Sequence, residues 1–308
     1  MYHYIRKEQK NLPFFVYLHA DNFEKQIDYF CENYHILSKE EFNECIEQEE
    51  VIENGIILTF DDGLSDHYEF VYPILKQRNL WGIFYIPTKP YEKETLLDVH
   101  RVHYLLGKYG GKRILEVLSS LITDDDLIET SEELFINATY LKQDNDFDTT
   151  KVKRIVNYYM KPDRKSNILE KLMNIFFEDE QELFSKYYLN IKQINEMIDT
   201  GMSIACHGHS HTLFSNLDYT DQENDINNSI TIIQKLTNNR MYNSFCYPYG
   251  GKQSYNDDTL RILSKNNFRS AISVESRKIK KEDLTIKYEL PRYDCNEFYF
   301  GKATKGIK

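Results

Sequence analysis

Two short stretches carry residue types that can do chemistry together. Thr59-Phe60-Asp61-Asp62-Gly63 offers adjacent carboxylates, and Cys206-His207-Gly208-His209-Ser210-His211 offers His207 and His211 at H-x-x-x-H spacing. Two imidazoles and one carboxylate suit a borderline divalent ion such as zinc, and three protein ligands leave a coordination position open for water. Water bound there becomes acidic enough to act as a nucleophile near neutral pH. The two aspartates can then divide the labour, one ligating the ion while the other takes the proton, because a nearby cation keeps both ionised. The residue types alone leave open which aspartate does which. The chemistry is metal-assisted hydrolysis of an amide or ester.

Both stretches follow apolar runs that read as strands. Residues 55–60 (Gly-Ile-Ile-Leu-Thr-Phe) form a continuous run of the kind a parallel strand buried on both faces requires, and residues 202–206 read as a second such strand. In α/β folds the carboxyl ends of strands are where chemistry is placed. Around them the periodicity predicts strands at 2–5, 35–37, 82–86, 244–247, 269–273 and 286–290, and helices at 22–34, 66–79, 191–200, 221–236 and 257–265. Ser38 with Glu41 forms a capping box that opens one further helix. This rhythm implies a (β/α) barrel, distorted or incomplete, of about seven strands.

Residues 88–188 depart from it. They show helical periods at 96–106, 113–122, 152–160 and 168–177, separated by acidic or polar turns at 124–126 and 143–146. The expectation is a single barrel domain over residues 1–308 with a large α-helical insertion at 88–188. A structureless loop of that length is improbable.

Composition narrows the partners. At 308 residues the chain can bury one large core, and a net charge of −11 spread along it leaves no basic footprint for nucleic acid. The five cysteines are far apart and odd in number, which suggests neither a disulfide framework nor a zinc knuckle. There is no apolar segment of membrane-spanning length and no signal-peptide pattern, so a cytoplasmic protein is expected. The 24 tyrosines are scattered and read as compositional bias; only aromatics converging on a pocket would indicate sugar stacking. His100 and His103, three apart on a helix, read as ordinary helix surface, as do the basic residues Lys89, Lys93, Arg101, Lys108, Lys112 and Arg113. His19, His35 and His67 have no partner at diagnostic spacing.

Three separated motifs together resemble the polysaccharide deacetylase (NodB-like) family, carbohydrate esterase family 4: Thr59-Phe60-Asp61-Asp62-Gly63, His207-x-x-x-His211 ahead of Leu213, and Tyr247-Pro248-Tyr249-Gly250. The resemblance covers the chain outside residues 88–188. It implies that Asp61 is the general base, that Asp62, His207 and His211 are the metal ligands, and that the backbone N–H of Tyr249 stabilises the oxyanion. His209 is not a ligand position in that pattern.

Two parts of the family's pattern are not where they are expected. The arginine that many members carry two residues before the proline is Cys246 here, and Arg292 in Leu290-Pro291-Arg292-Tyr293 is the candidate to replace it. No histidine follows His211, so the late L-x-H motif that supplies the general acid is missing. Met1-Tyr2-His3-Tyr4-Ile5 resembles the amino-terminal Tyr-His strand of a permuted branch, which makes His3 the candidate acid.

The function expected is a metal-dependent deacetylase of an N- or O-acetylated sugar, with Zn2+ as the leading metal and Co2+ or Ni2+ as alternatives. Its substrates would be glycan-biosynthesis precursors, nucleotide-linked or lipid-linked sugars, or oligosaccharides. Two other readings use the same residues. A two-histidine, one-carboxylate set also serves non-haem iron oxygenases, although Asp61, redundant as a ligand but needed as a base, favours hydrolysis. A non-catalytic sugar-binding protein would account for Cys246 and the missing late histidine.

Overall fold

The computed structural model describes residues 1–128, 145–176 and 178–305. The expected turn at 143–144 and the end of the expected helix at Phe177 lie outside them. The chain divides into two compact units. One comprises Met1–Lys7, Tyr17–Thr95 and Phe184–Ala303, and the other is built chiefly from Glu8–Val16 and Leu96–Leu183.

Nine strands, in chain order, lie in the first unit, β2 in all but its first residue: β1 (Ile5–Arg6), β2 (Val16–His19), β3 (His35–Ile36), β4 (Gly55–Ile56), β5 (Leu58–Phe60), β6 (Gly82–Ile86), β7 (Ser203–Cys206), β8 (Ser244–Cys246) and β9 (Ser270–Ile272). Strands β5 to β9 pair in sequence order into one five-stranded parallel sheet. Ile83, Phe84, Tyr85 and Ile86 are all fully buried, the mark of a parallel strand covered on both faces. A single parallel bridge extends the sheet at each edge, Tyr2 against Phe60 and Leu290 against Ile272. The sheet thus has five strands where the sequence predicts about seven.

The differences have local causes. The run at 55–60 is two strands: β4 pairs with β3, whereas β5 pairs with β6, the change of partner falling at Ile57. Of the strand predicted at 286–290, Ile286 ends a helix over Lys281–Ile286 and residues 287–290 keep only a single bridge, at Leu290. Asp283 caps it by accepting from the Lys280 N–H at 2.7 Å, and the left-handed Lys287 (φ 48°) ends it, so the segment meets β9 only through the Lys287 carbonyl, which accepts from Ala271 N–H (2.8 Å), and through the bridge at Leu290. The helix predicted at 66–79 opens with a wide π turn over His67–Val71 before Tyr72–Gln77. Pro73 has no N–H to give to an α-type ladder there. The sequence reading places no strand at β2.

Other elements match their periodicity. The helices Ala20–Asn33, Ile191–Asp199, Tyr219–Leu236 and Asp257–Lys265 lie where the apolar spacing puts them. Ser38 and Glu41 form the expected capping box, with reciprocal bonds of 3.2 and 2.8 Å. Beneath the site, Tyr2, Phe60 and Phe84 stack in succession, with centroids 5.2 and 4.7 Å apart. Each such pair contributes about 0.5–1.5 kcal/mol beyond its burial and fixes the register of the strand ends.

The second unit is helical, with Asp98–Tyr109, Gly111–Leu121, Phe147–Arg154 and Pro162–Ile175 enclosing Val102, Leu105, Ile114, Leu118, Val152 and Leu169. Two of its basic residues are not simply solvated. Arg101 bonds Glu180 (2.7 Å) and Asp98 (2.9 Å), and Lys108 bonds Glu178 at 2.6 Å. His100 is buried and its ring lies 6.4 Å from that of His103; neither belongs to a metal-type cluster among the described residues. No helix among the described residues is long and apolar enough to cross a membrane.

Candidate metal and active site

Strand β5 ends at Phe60 and releases Asp61 and Asp62 into a sharp bend. Asp62 has φ 76° and Gly63 φ 61°, left-handed backbone that an aspartate tolerates at a cost of about 1–2 kcal/mol. A Cβ on Gly63 would stand 3.1 Å from Ile86 Cγ1. The bend turns the two neighbouring carboxylates toward different partners.

Asp62 faces the histidines. Its Oδ1 is 3.6 Å from His207 Nε2 and 3.4 Å from His211 Nε2, and the three donor atoms form a cluster. Metal bonds of about 2.0–2.2 Å at tetrahedral angles set donor atoms about 3.4 Å apart, so this trio fits a divalent ion of zinc's size and preference. His207 is oriented from behind: its Nδ1 bonds the Cys246 carbonyl at 2.8 Å, which leaves Nε2 as the ligating nitrogen. Burial holds its pKa down at about 4, so the imidazole is neutral, the form a metal requires. His211 adopts a left-handed φ of 52° and its ring packs across His207, centroid to centroid 4.9 Å.

Asp61 faces the opposite way. Arg292 grips it with both arms, Nη1 donating to Oδ1 at 2.9 Å and Nη2 donating to Oδ2. Nη1 also donates to Thr59 Oγ1 (3.1 Å), and Nη2 donates to Cys246 Sγ at 3.0 Å. Asp61 is 2% exposed and Arg292 9%. Burial alone would raise the Asp61 carboxyl, but the Arg292 charge and its hydrogen bonds outweigh that and hold it well below the usual carboxylate range. Burial pushes the Cys246 thiol up. Asp61, His207 and Cys246 form a second cluster of ligand-type atoms, but the guanidinium bonded to two of the three already supplies the positive charge, which makes it a poor cation site.

His3 reaches the same carboxylate from the other end of the chain. Its Nε2 lies 3.8 Å from Asp61 Oδ2, with the side chain 40% exposed. The segment is laid along β5 by Tyr2 N–H to the Thr59 carbonyl and Asp61 N–H to the Tyr2 carbonyl, both 2.9 Å. His67, fully buried and held neutral by a pKa lowered by burial to about 4, bonds the His3 carbonyl through Nε2 at 2.9 Å. The segments bearing His3 and Arg292 are also tied to each other. Cys295 N–H donates to the Met1 carbonyl (3.1 Å), and the buried Gln26 accepts from the Tyr2 hydroxyl (2.7 Å) while donating to the Cys295 carbonyl (3.0 Å).

Tyr249, left-handed at φ 64°, sets its ring 5.3 Å from that of His211. Its turn is held by Gly250, whose carbonyl accepts from Val274 N–H at 2.6 Å. His209 turns away from the Asp62 trio, with Nδ1 3.0 Å from Thr88 Oγ1. The structure therefore brings Asp61, Asp62, His207, His211, His3, Arg292 and Tyr249 into one neighbourhood. Sequence reasoning missed Gln26, His67 and Asp225, none of which has a local pattern that marks it, and it assigned no separate role to Thr59 within its motif.

Residues 171–271 match the family model described as polysaccharide deacetylase. That span holds His207, His211 and Tyr249, whereas Asp61, Asp62 and Arg292 lie outside it. Several solved structures share the fold. The Streptococcus pyogenes deacetylase PplD in complex with acetate aligns over 95% of this chain and 88% of its own, at 18% identity and a TM-score of 0.57. A de-N-acetylase from Aggregatibacter actinomycetemcomitans aligns over 95% and 92%, at 13% identity and a TM-score of 0.51. IcaB from Ammonifex degensii aligns over 88% and 81%, at 12% identity and a TM-score of 0.50. The likeness is one of fold, an α/β architecture with a curled, half-barrel parallel sheet of five strands. No curated protein matches the sequence.

Proposed function

We propose that this protein is a divalent-metal-dependent deacetylase that hydrolyses the acetyl amide or ester of an acetylated sugar. The observation that carries the reading is the divergence of two adjacent aspartates, Asp62 toward His207 and His211, Asp61 toward Arg292 and His3. A site built only to hold a metal has no use for the second carboxylate and its dedicated cation. The family match over residues 171–271 and the deacetylases among the fold relatives support the choice of reaction.

Asp62, His207 and His211 would hold the ion, zinc by preference with cobalt or nickel as alternatives. When bound there, such an ion supplies Lewis-acid chemistry, acidifying water and polarising an acetyl carbonyl. Asp61, kept ionised by Arg292, takes the proton from the attacking water as the new C–O bond forms. Arg292 acts through Asp61 and is a positioning residue. The backbone N–H of Tyr249 donates to the oxygen that gains negative charge. His3, part-exposed where a substrate can reach it, gives a proton to the departing nitrogen or oxygen as its bond to the acetyl carbon breaks. The products are acetate and the free amine or hydroxyl of the sugar. The substrate is an oligosaccharide or a nucleotide-linked or lipid-linked sugar.

The test is acetate release by the wild-type protein from acetylated monosaccharides, nucleotide sugars and oligosaccharides, run beside Asp61→Asn. Acetate from at least one substrate with wild type and none with the variant is expected. No acetate from any of them with the zinc-loaded wild type would overturn the reading.

A further inference from the structure

The loop that carries both histidines is clamped by a carboxylate the reaction does not use. We propose that Asp225 is a positioning residue for the metal centre, setting the approach of His207 and His211 and with it the affinity for the ion. The proposal rests on the metal site described above.

Asp225 lies on the Tyr219–Leu236 helix and is 7% exposed. Its Oδ1 accepts the His209 N–H at 2.6 Å, and its Oδ2 accepts the Ser210 N–H at 3.0 Å and the Ser210 hydroxyl. Consecutive N–H groups following a left-handed residue form a concave nest suited to an anion, and Gly208 supplies that residue at φ 71°. The fit is close, since a Cβ on Gly208 would meet Asp225 Oδ1 at 3.2 Å. Among the described residues no lysine or arginine pairs with Asp225, so the loop's own donors satisfy its buried charge.

The loop's other side is held as well. Thr88 N–H donates to the Gly208 carbonyl (3.2 Å) and Lys89 N–H to the His209 carbonyl (2.9 Å). With the three middle residues held between Asp225 on one side and Thr88 and Lys89 on the other, the directions of the two flanking histidines are set. His211 in particular keeps a left-handed φ of 52°, a strained state that persists only where its surroundings over-determine it. Releasing the Asp225 clamp lets His211 relax away from Asp62.

Outer partners of metal ligands typically change affinity by about 10–100-fold when removed. The experiment is a zinc titration of the full chain against a chelating indicator, with circular dichroism verifying the fold of each variant. Asp225→Ala is expected to weaken zinc binding by about 10–100-fold. Asp225→Asn, which keeps size and one acceptor, should fall between it and wild type, and Ser210→Ala should show the smallest loss. A role confined to stability would lower melting of the metal-free protein and leave the affinity of the folded fraction unchanged. Should Asp225→Ala not fold, the other two variants decide. Folded variants that all bind zinc within about twofold of wild type would overturn the proposal while leaving the metal site standing. A wild-type protein that takes up no zinc would overturn both.

Discussion

Arg292 grips both carboxylate oxygens of Asp61 across 231 residues of chain. The contact puts a fixed positive charge on one side of a buried aspartate whose neighbour, Asp62, turns to a different set of partners. Removing it has a defined signature. In Arg292→Ala burial acts on Asp61 with its main opposition gone, only His207 and His3 still favouring the carboxylate, and its pKa rises. Because the folded value in wild type is depressed, the pair's stabilisation is present above the ordinary carboxylate range and is lost as pH falls through the folded value. The variant should lose about 3–5 kcal/mol of stability near neutral pH, and the acid limb of its kcat/KM profile should move to higher pH. Arg292→Lys keeps the charge but not the fork and should recover only part. Denaturant unfolding and the pH–rate profile check this; an unshifted acid limb in Arg292→Ala would contradict it.

His3→Ala should retain its metal and lose about 10²–10⁴-fold in kcat on an acetylated amine. With an acetyl ester of a good leaving group, which needs no proton to depart, the loss should shrink. A loss of equal size on both substrates would assign His3 to some other task.

Gln26 joins the two chain segments that deliver His3 and Arg292. Gln26→Leu leaves the Tyr2 hydroxyl and the Cys295 and Tyr299 carbonyls without this partner. It should cost about 1–3 kcal/mol for each buried group left unsatisfied, and kcat should drop with zinc content unchanged. Thermal unfolding and turnover measured on the same samples test both halves.

Gly250→Ala should destabilise the turn that carries Tyr249. The added Cβ would sit 2.2 Å from Val274 Cγ2 on a backbone at φ 69°. A cost above about 1 kcal/mol is expected from the backbone conformation alone, read as a lowered denaturation midpoint together with reduced turnover. An unchanged midpoint would show that the turn can yield.

What could be read from the sequence was what is encoded locally. The strand at 82–86 and the helices at 191–199 and 257–265 carry unbroken apolar periods, and the Ser38 capping box is complete within four residues. Asp61-Asp62 and His207-x-x-x-His211 stood out because each is a dense cluster at a strand end. Arg292 and His3 came into view only because a resemblance left two places to fill. The failures share the opposite cause. The split of residues 55–60 depends on which strand lies alongside, and the helix at Lys281–Ile286 depends on Asp283 capping Lys280. Gln26, His67 and Asp225 work through partners 269, 64 and 16 residues away, distances at which no periodicity registers.

The measurement that bears most directly on the division of labour between the two aspartates pairs zinc content with acetate release in Asp61→Asn and Asp62→Asn. Expected is one zinc per chain and no acetate from Asp61→Asn, and loss of both from Asp62→Asn. Turnover at the wild-type rate in Asp61→Asn, or full zinc retention in Asp62→Asn, would contradict it.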